Sequence, residues 1–261
     1  MASGNFFRIL RISLMIYLLL FVSAGAWLAR ARTTSWEQTL WVAIYPINGD
    51  GSEKATNYID SLEIRDFEEL NHFIKREAIR YGVSEPEPVR VELGQTIAEQ
   101  PPLPPVDRNM PGVMLWSLKL RYWAWRKQAQ QSGPDPDIRM YVVYHDPQQS
   151  PVLSHSLGLQ KGLIGVVHAF ANRSMAGSNN VVLTHELLHT LGANDRYDPA
   201  TTLPLYPDGY AEPDRQPLFP QDKTEIMGGR TPISQDEAVT PRNLSRVVIG
   251  PVTAAEIRWQ Q

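Results

Sequence analysis

From residue 12 to residue 29 an apolar run, Ile-Ser-Leu-Met-Ile-Tyr-Leu-Leu-Leu-Phe-Val-Ser-Ala-Gly-Ala-Trp-Leu-Ala, carries no charge. Arg8 and Arg11 precede it, and Arg30 and Arg32 follow. The length predicts an uncleaved signal anchor, or a signal peptide cleaved near Ala24-Gly25-Ala26. The slight excess of positive charge before the run places the bulk of the chain on the extracytoplasmic side, membrane-anchored or secreted. Residues 33–38 read as a polar connector. Leu40–Ile47 then predicts a buried strand, closed by the turn signal Asn48-Gly49-Asp50-Gly51. Asp66–Tyr81 predicts an amphipathic helix: Phe67, Leu70, Ile74, Ala78 and Tyr81 form its stripe, and Gly82 can stop it. Val89–Leu93 alternates as a strand does. Strand, helix and strand together predict a crossover unit.

Residues 100–111 hold five prolines and predict a stiff extended loop. Met114–Lys127 alternates partly like a strand, yet its length without Gly or Pro favours a helix. Its content is unusual: Trp116, Trp123 and Trp125 stand among Lys119, Arg121, Arg126 and Lys127. A core element with snorkelling cations is one reading, and an element resting on a lipid surface is the other. Ile138–Tyr144 and Leu163–Phe170 predict further strands. Ser178, Asn179 and Asn180 are N-cap candidates for a helix over 181–191. Residues 196–226 form a long proline-punctuated loop, and Thr253 with Glu256 offers a capping box for a last helix.

Composition narrows the class. Hydrophobic residues make up 43% and charged residues 20% of 261, ordinary for a globular protein. The net charge of −3 gives no reason to expect nucleic acid as partner. There is no cysteine, which excludes a disulfide framework, a thiolate metal site and a cysteine nucleophile. The expected division is a targeting segment over 1–32 and one domain over 33–261, with an N-terminal part (33–137) and a core (138–261).

The chemistry concentrates in Val181-Val-Leu-Thr-His-Glu-Leu-Leu-His-Thr-Leu-Gly-Ala-Asn-Asp195. His185 and His189, four apart on a helix, share one face, and two imidazoles so placed can hold one Zn²⁺ with Glu186 as general base. Gly192 can take a left-handed conformation and end the helix, so that Asp195 turns back as a third ligand. Downstream, Glu225-Ile-Met-Gly-Gly229 sets Met227 in a Gly-rich turn.

This combination resembles the metzincin zinc peptidases, whose pattern is His-Glu-x-x-His-x-x-Gly-x-x-His/Asp followed by a Met-turn. Asp in third place is similar to the snapalysin-type minority. The resemblance covers residues 138–261 and implies an α+β fold with a twisted mixed sheet, an active-site helix, a Met-turn at Met227 and a C-terminal helix over 253–259. It implies a zinc endopeptidase acting on peptide or protein substrates, with Zn²⁺ on His185, His189 and Asp195 and Glu186 as the base. Gly165–Phe170 is similar to the matrixin strand that borders the substrate cleft, which would make it the edge that pairs with an extended peptide. His168 matches a position that binds a structural zinc there. His155 is near it, but the other ligands lack counterparts, so His168 is read as structural.

Three rivals remain open from sequence. One is a gluzincin-type site with a later Glu as third ligand, for which Glu212, Glu225 and Glu237 are available. Another is a metzincin-like scaffold at the membrane without turnover. The third is a structural exported domain with no metal. Asp198, Asp208 and Asp214 match no Ca²⁺ loop. Tyr197, Tyr206 and Tyr210 are candidates to hydrogen-bond the reacting carbonyl, and nothing in the sequence selects among them.

Overall fold

The computed structural model describes residues 7–8, 10–17, 19–20, 32–105, 107, 109–131, 133–160 and 162–260. The expected anchor over 12–29 lies partly outside them, at residue 18 and at 21–29. Among the described residues no helix is long and apolar enough to cross a membrane. Residues 10–17 are helical, with large apolar side chains such as Leu14 and Met15 exposed.

The domain is organised on a five-stranded sheet in the order β2-β1-β3-β5-β4. These strands are β1 (Leu40–Asn48), β2 (Val89–Leu93), β3 (Ile138–His145), β4 (Leu157–Leu159) and β5 (Ile164–Phe170). The first two pair in parallel, as do β1 with β3 and β3 with β5, whereas β4 runs antiparallel to β5. The sheet is therefore mixed and the architecture α+β. β1 and β3 read as continuous apolar runs because both faces are covered. One face of each carries Val42 and Ile44, or Met140 and Val142, into the larger core, with α1 (Glu53–Asp60), α2 (Glu68–Arg80), α4 (Ala176–Leu191) and α5 (Pro251–Glu256). The other face carries Tyr45, Ile47, Tyr141 and Val143 into a smaller core closed by α3 (Met110–Gln128) through Leu120, Trp123 and Ala124.

Several expectations are corrected. The Gly165–Phe170 strand is not the sheet edge: it lies between β3 and β4, and the edge is the three-residue β4. So short a strand has no periodicity to read. The expected helix over 66–81 begins as a 3-10 turn over Ile64–Phe67 and continues as α2. The Met114–Lys127 segment is helical but starts at Met110. Pro111 sits in its first turn, where a missing N–H costs nothing, and the Asn109 side chain caps Gly112 N. Helix α1 lies outside the expected elements, and Ser52 caps it through Ala55 N.

The N-caps expected at 178–180 lie inside α4. A 3-10 turn capped by Asn172 leads into that helix. Asn179 instead joins the Phe170 backbone, and Asn180 the Asp66 carbonyl. The capping box at Thr253 and Glu256 does not form, because Gly250 is the N-cap and both side chains are engaged elsewhere. Nor is 33–38 a free connector: Trp36 is buried, donates to the Ile257 carbonyl at 2.7 Å and packs edge-on against Trp259.

His168, on β5, faces His145 of β3 with ring nitrogens 3.0 Å apart. Burial, then the His145 charge, push its pKa from 6.5 down to about 4. A base depressed in this way binds fewer protons folded than unfolded. Its contribution is complete above the unfolded value and is lost as pH falls through the folded one. Between about pH 7 and about pH 4 this costs on the order of 2–3 kcal/mol. Urea unfolding of metal-free protein at both pH values should show that loss, and His168→Gln should remove this part of the pH slope.

Candidate metal centre

Helix α4 delivers the two imidazoles. Its buried positions, among them Val181, Leu183, Leu187, Leu188 and Leu191, lock it against the sheet and leave His185 and His189 on one face. Gly192 ends it at φ +109°, a conformation that costs a side-chain-bearing residue strain. The chain reverses there, and Asp195 returns over the helix. His185 Nε2, His189 Nε2 and Asp195 Oδ1 form a triangle with edges of 3.1, 3.0 and 3.1 Å. Four ligands at about 2.05 Å around a tetrahedral zinc stand about 3.3 Å apart, so the triangle is close to a zinc face.

The protons of the two rings are placed by backbone carbonyls. His185 Nδ1 lies 2.9 Å from the Ile226 carbonyl and His189 Nδ1 lies 2.8 Å from that of Ala193. A carbonyl can only accept, so each Nδ1 carries hydrogen and each neutral ring turns a lone pair inward from Nε2. Two lone pairs and a carboxylate oxygen then face one another at about 3 Å. Such a group repels itself unless a cation lies between its members, and the three residues can hold a metal ion. The same electrostatics act on the protons. Burial opposes charging His185, but a charged ring would donate from Nε2 to Asp195, and this, the Glu186 charge and the Ile226 carbonyl outweigh burial, so its pKa is raised. Burial also pushes Asp195 up, but the attraction of such charged, donating imidazoles overcomes that and holds it well below the usual carboxylate range.

Glu186 is buried beside this group, and burial raises its pKa against the pull of His185 and His189. Its Oε2 has no hydrogen-bond partner among the described residues, a carboxylate oxygen free to act as a base. Strand β4 crosses directly above: a Cβ on Gly158 would lie 2.3 Å from the Glu186 carbonyl oxygen and 2.6 Å from His189 Cβ. Only glycine lets the sheet edge come this close to the helix.

Two carboxylates, one fully buried and one half-buried, hold the frame. Glu225 is fully buried and accepts from Met227 N and Gly228 N at one oxygen, and from Gly250 N and Thr253 Oγ1 at the other. It thereby fixes the turn that presents the Ile226 carbonyl to His185. The strands β6 (Thr224–Glu225) and β7 (Val247–Val248) pair in parallel beneath that turn. Met227 is buried in the apolar core, and its carbonyl accepts from Arg196 N at 2.9 Å. Glu256 on α5 accepts from Asn194 N at 2.9 Å and from Asn194 Nδ2 at 2.8 Å, and it pairs with Arg196. Asp195 thus lies between two anchored neighbours.

Of the rival third ligands, Glu225 has spent both oxygens on that turn. Glu212 accepts from Asp222 N and pairs with Arg215, and Glu237 is exposed; none joins the cluster. Of the tyrosines, only Tyr197 reaches the site. Its ring lies 6.2 Å from that of His185, and burial together with the Asp195 and Glu186 charges pushes its pKa up to about 12. Tyr206 and Tyr210 pack on each other instead. Asp198 accepts from Ala200 N, and Asp208 and Asp214 are exposed. The His145–His168 pair gains no third ligand atom among the described residues, and His155 is exposed. No protein-family model matches the chain, and a search of curated proteins found no match.

Ligand and frame separate by mutation. Asp195→Ala should weaken Zn²⁺ binding by about 100-fold or more, at one ligand in three, with little change in metal-free stability. Glu225→Ala should cost about 3–5 kcal/mol of stability, since four buried donors lose their acceptor. Metal titration and urea unfolding of both variants read the two effects independently.

Proposed function

We propose that the protein is a zinc-dependent endopeptidase of the metzincin type, with Zn²⁺ held by His185, His189 and Asp195. The observation that carries the reading is the placement of Glu186. A buried carboxylate with a free oxygen stands beside a triangle of two imidazoles and a carboxylate, under the exposed edge of a sheet. The left-handed Gly192, the turn at Met227 and the terminal helix α5 are further features that the resemblance implies.

Zinc at these atoms supplies Lewis-acid polarisation of a carbonyl and lowers the pKa of water. Within the chain, Glu186 takes the proton of the attacking water at Oε2 and returns it to the leaving amine. Its raised proton affinity suits both halves of that exchange. The Tyr197 hydroxyl, kept protonated, donates to the oxygen that gains charge in the tetrahedral state. The outer side of β4 pairs with an extended peptide through backbone groups, so cleavage does not demand a fixed sequence. Beside the site, a cavity of about 570 Å³ is lined by Phe170, Met175, Ser178, Val182, His168 and Arg242. Val182 stands one helical turn before Glu186, and in this reading the cavity takes a substrate side chain next to the scissile bond. An apolar run ahead of the domain accords with anchoring or export, with the site facing away from the cytoplasm.

Glu186→Ala should retain zinc and lose peptidase activity by about 10³-fold, within the range for a general base. Tyr197→Phe should lower kcat by about 10- to 100-fold with KM little changed, as expected of a donor used mainly in the transition state. Steady-state kinetics on a peptide library, with zinc analysis of each variant, checks both. A zinc-loaded wild type that cleaves no peptide would instead favour the scaffold reading.

A further inference from the structure

Helix α3 is apolar on both sides, a composition expected of a helix enclosed by protein or lipid. One side is accounted for: Leu120, Trp123 and Ala124 close the smaller core, and Lys127 is buried with them. The other is not. Met110, Met114, Leu115, Leu118, Tyr122 and Trp125 are each more than half exposed. At 100° per residue they occupy an arc of about 140°, and they run about 22 Å along the axis. Trp116 donates to the Pro102 carbonyl at 2.8 Å, which fixes the preceding loop near the helix; Leu103 in that loop is 78% exposed. So long a continuous apolar face marks a contact surface.

The charges around the face select its partner. Helix α3 contains Lys119, Arg121, Arg126 and Lys127 and no acidic residue, in a chain whose net charge is −3. Lys119 and Arg126 follow each other along one border of the arc, and Arg121 lies toward the other. Glu99 meets Lys127 and Arg126, at 2.6 and 3.5 Å, while Lys119 and Arg121 have no ion pair among the described residues. A second copy docked face to face would bring like charges together. The apolar run over 12–29 carries no acid, and the arginines at its ends would add to the repulsion. An anionic lipid surface answers both features: acyl chains take the apolar arc, head groups take the cations, and Tyr122 and Trp125 suit the boundary.

We propose that the outer face of α3 docks on an anionic lipid surface. Lys119 and Arg126, the exposed cations along one border, lie at the level of the head groups, and the apolar arc beside them is immersed. Helices α3 and α4 pack on opposite faces of the sheet, so docking leaves the metal-site helix on the side away from the lipid. The proposal stands whether or not the site is a peptidase, and it does not need the N-terminal segment as an anchor.

The chain has no cysteine, so a nitroxide can be placed at a single position of the full-length protein. Leu118→Cys reports on the arc. Ile79→Cys, exposed on α2 across the sheet, is the comparison. The measurement is collision with oxygen, which partitions into lipid, against a water-soluble nickel chelate. It is made in vesicles of phosphatidylcholine with and without phosphatidylglycerol. With phosphatidylglycerol the label at 118 should become oxygen-accessible and shielded from nickel, while the label at 79 stays in water. At about five-fold per cation, Lys119→Gln with Arg126→Gln should weaken docking by about twenty-five-fold. Nickel access at 118 that is unchanged by phosphatidylglycerol overturns the proposal. Immersion that needs no anionic lipid and is unchanged by Lys119→Gln with Arg126→Gln overturns it as well. So does a label sheltered from both reagents in every vesicle, which marks a cover made of protein.

Discussion

Three electron-rich atoms held about 3 Å apart must be kept from relaxing away from one another, and much of the chain after residue 175 serves that constraint. The helix alone sets only the spacing of two of them. Their inward-facing lone pairs depend on the carbonyls of Ile226 and Ala193, which come from different turns. The Ile226 carbonyl is fixed by the Glu225 carboxylate and by the β6–β7 pair. β7 in turn is tied to α2, where Arg76 donates to the Val247 carbonyl and Glu77 accepts from Ile249 N. A path of hydrogen bonds therefore runs from α2, in the first half of the domain, to the ring of His185. Such second-layer bonds orient metal ligands and set their basicity.

The acids around the site divide the work according to their surroundings. Glu225 and Glu77 are surrounded by donors and act as backbone clamps. Glu186 is buried with one oxygen unspent, and its proton affinity rises. Asp195 is more exposed but faces two imidazoles, which hold its proton affinity down. The same chemical group thus supplies frame, base and ligand, and its environment decides which. The sheet separates these roles from the outer face of α3: the helix bearing the histidines packs on one side, and the apolar, basic helix on the other.

Much of this was legible in the chain. The spacing of His185, Glu186, His189, Gly192 and Asp195 follows from helical period and from glycine's access to positive φ, both local properties. The apolar runs at 40–47 and 138–144 read correctly as buried strands because period and length are also local. Where local signals were thin or shared, the reading failed. Three residues at β4 carry no period, so the sheet edge was assigned to the stronger neighbouring strand. Asn179, Asn180, Thr253 and Glu256 had the chemistry of caps, but each found a partner far along the chain. A side chain's preference for a cap does not say whether a better acceptor or donor will arrive from elsewhere.

The sequence by itself determined which residues can meet a metal, because four residues on a helix and a glycine stop suffice to bring them onto one face. Tertiary structure alone decided what surrounds them. It chose Tyr197 over Tyr206 and Tyr210, and it turned Glu225 from a possible ligand into the clamp of the turn at Met227. It also set β4 over the helix and left one side of α3 bare. These outcomes depend on contacts between segments tens to more than a hundred residues apart, and such contacts are fixed only when the whole core packs at once.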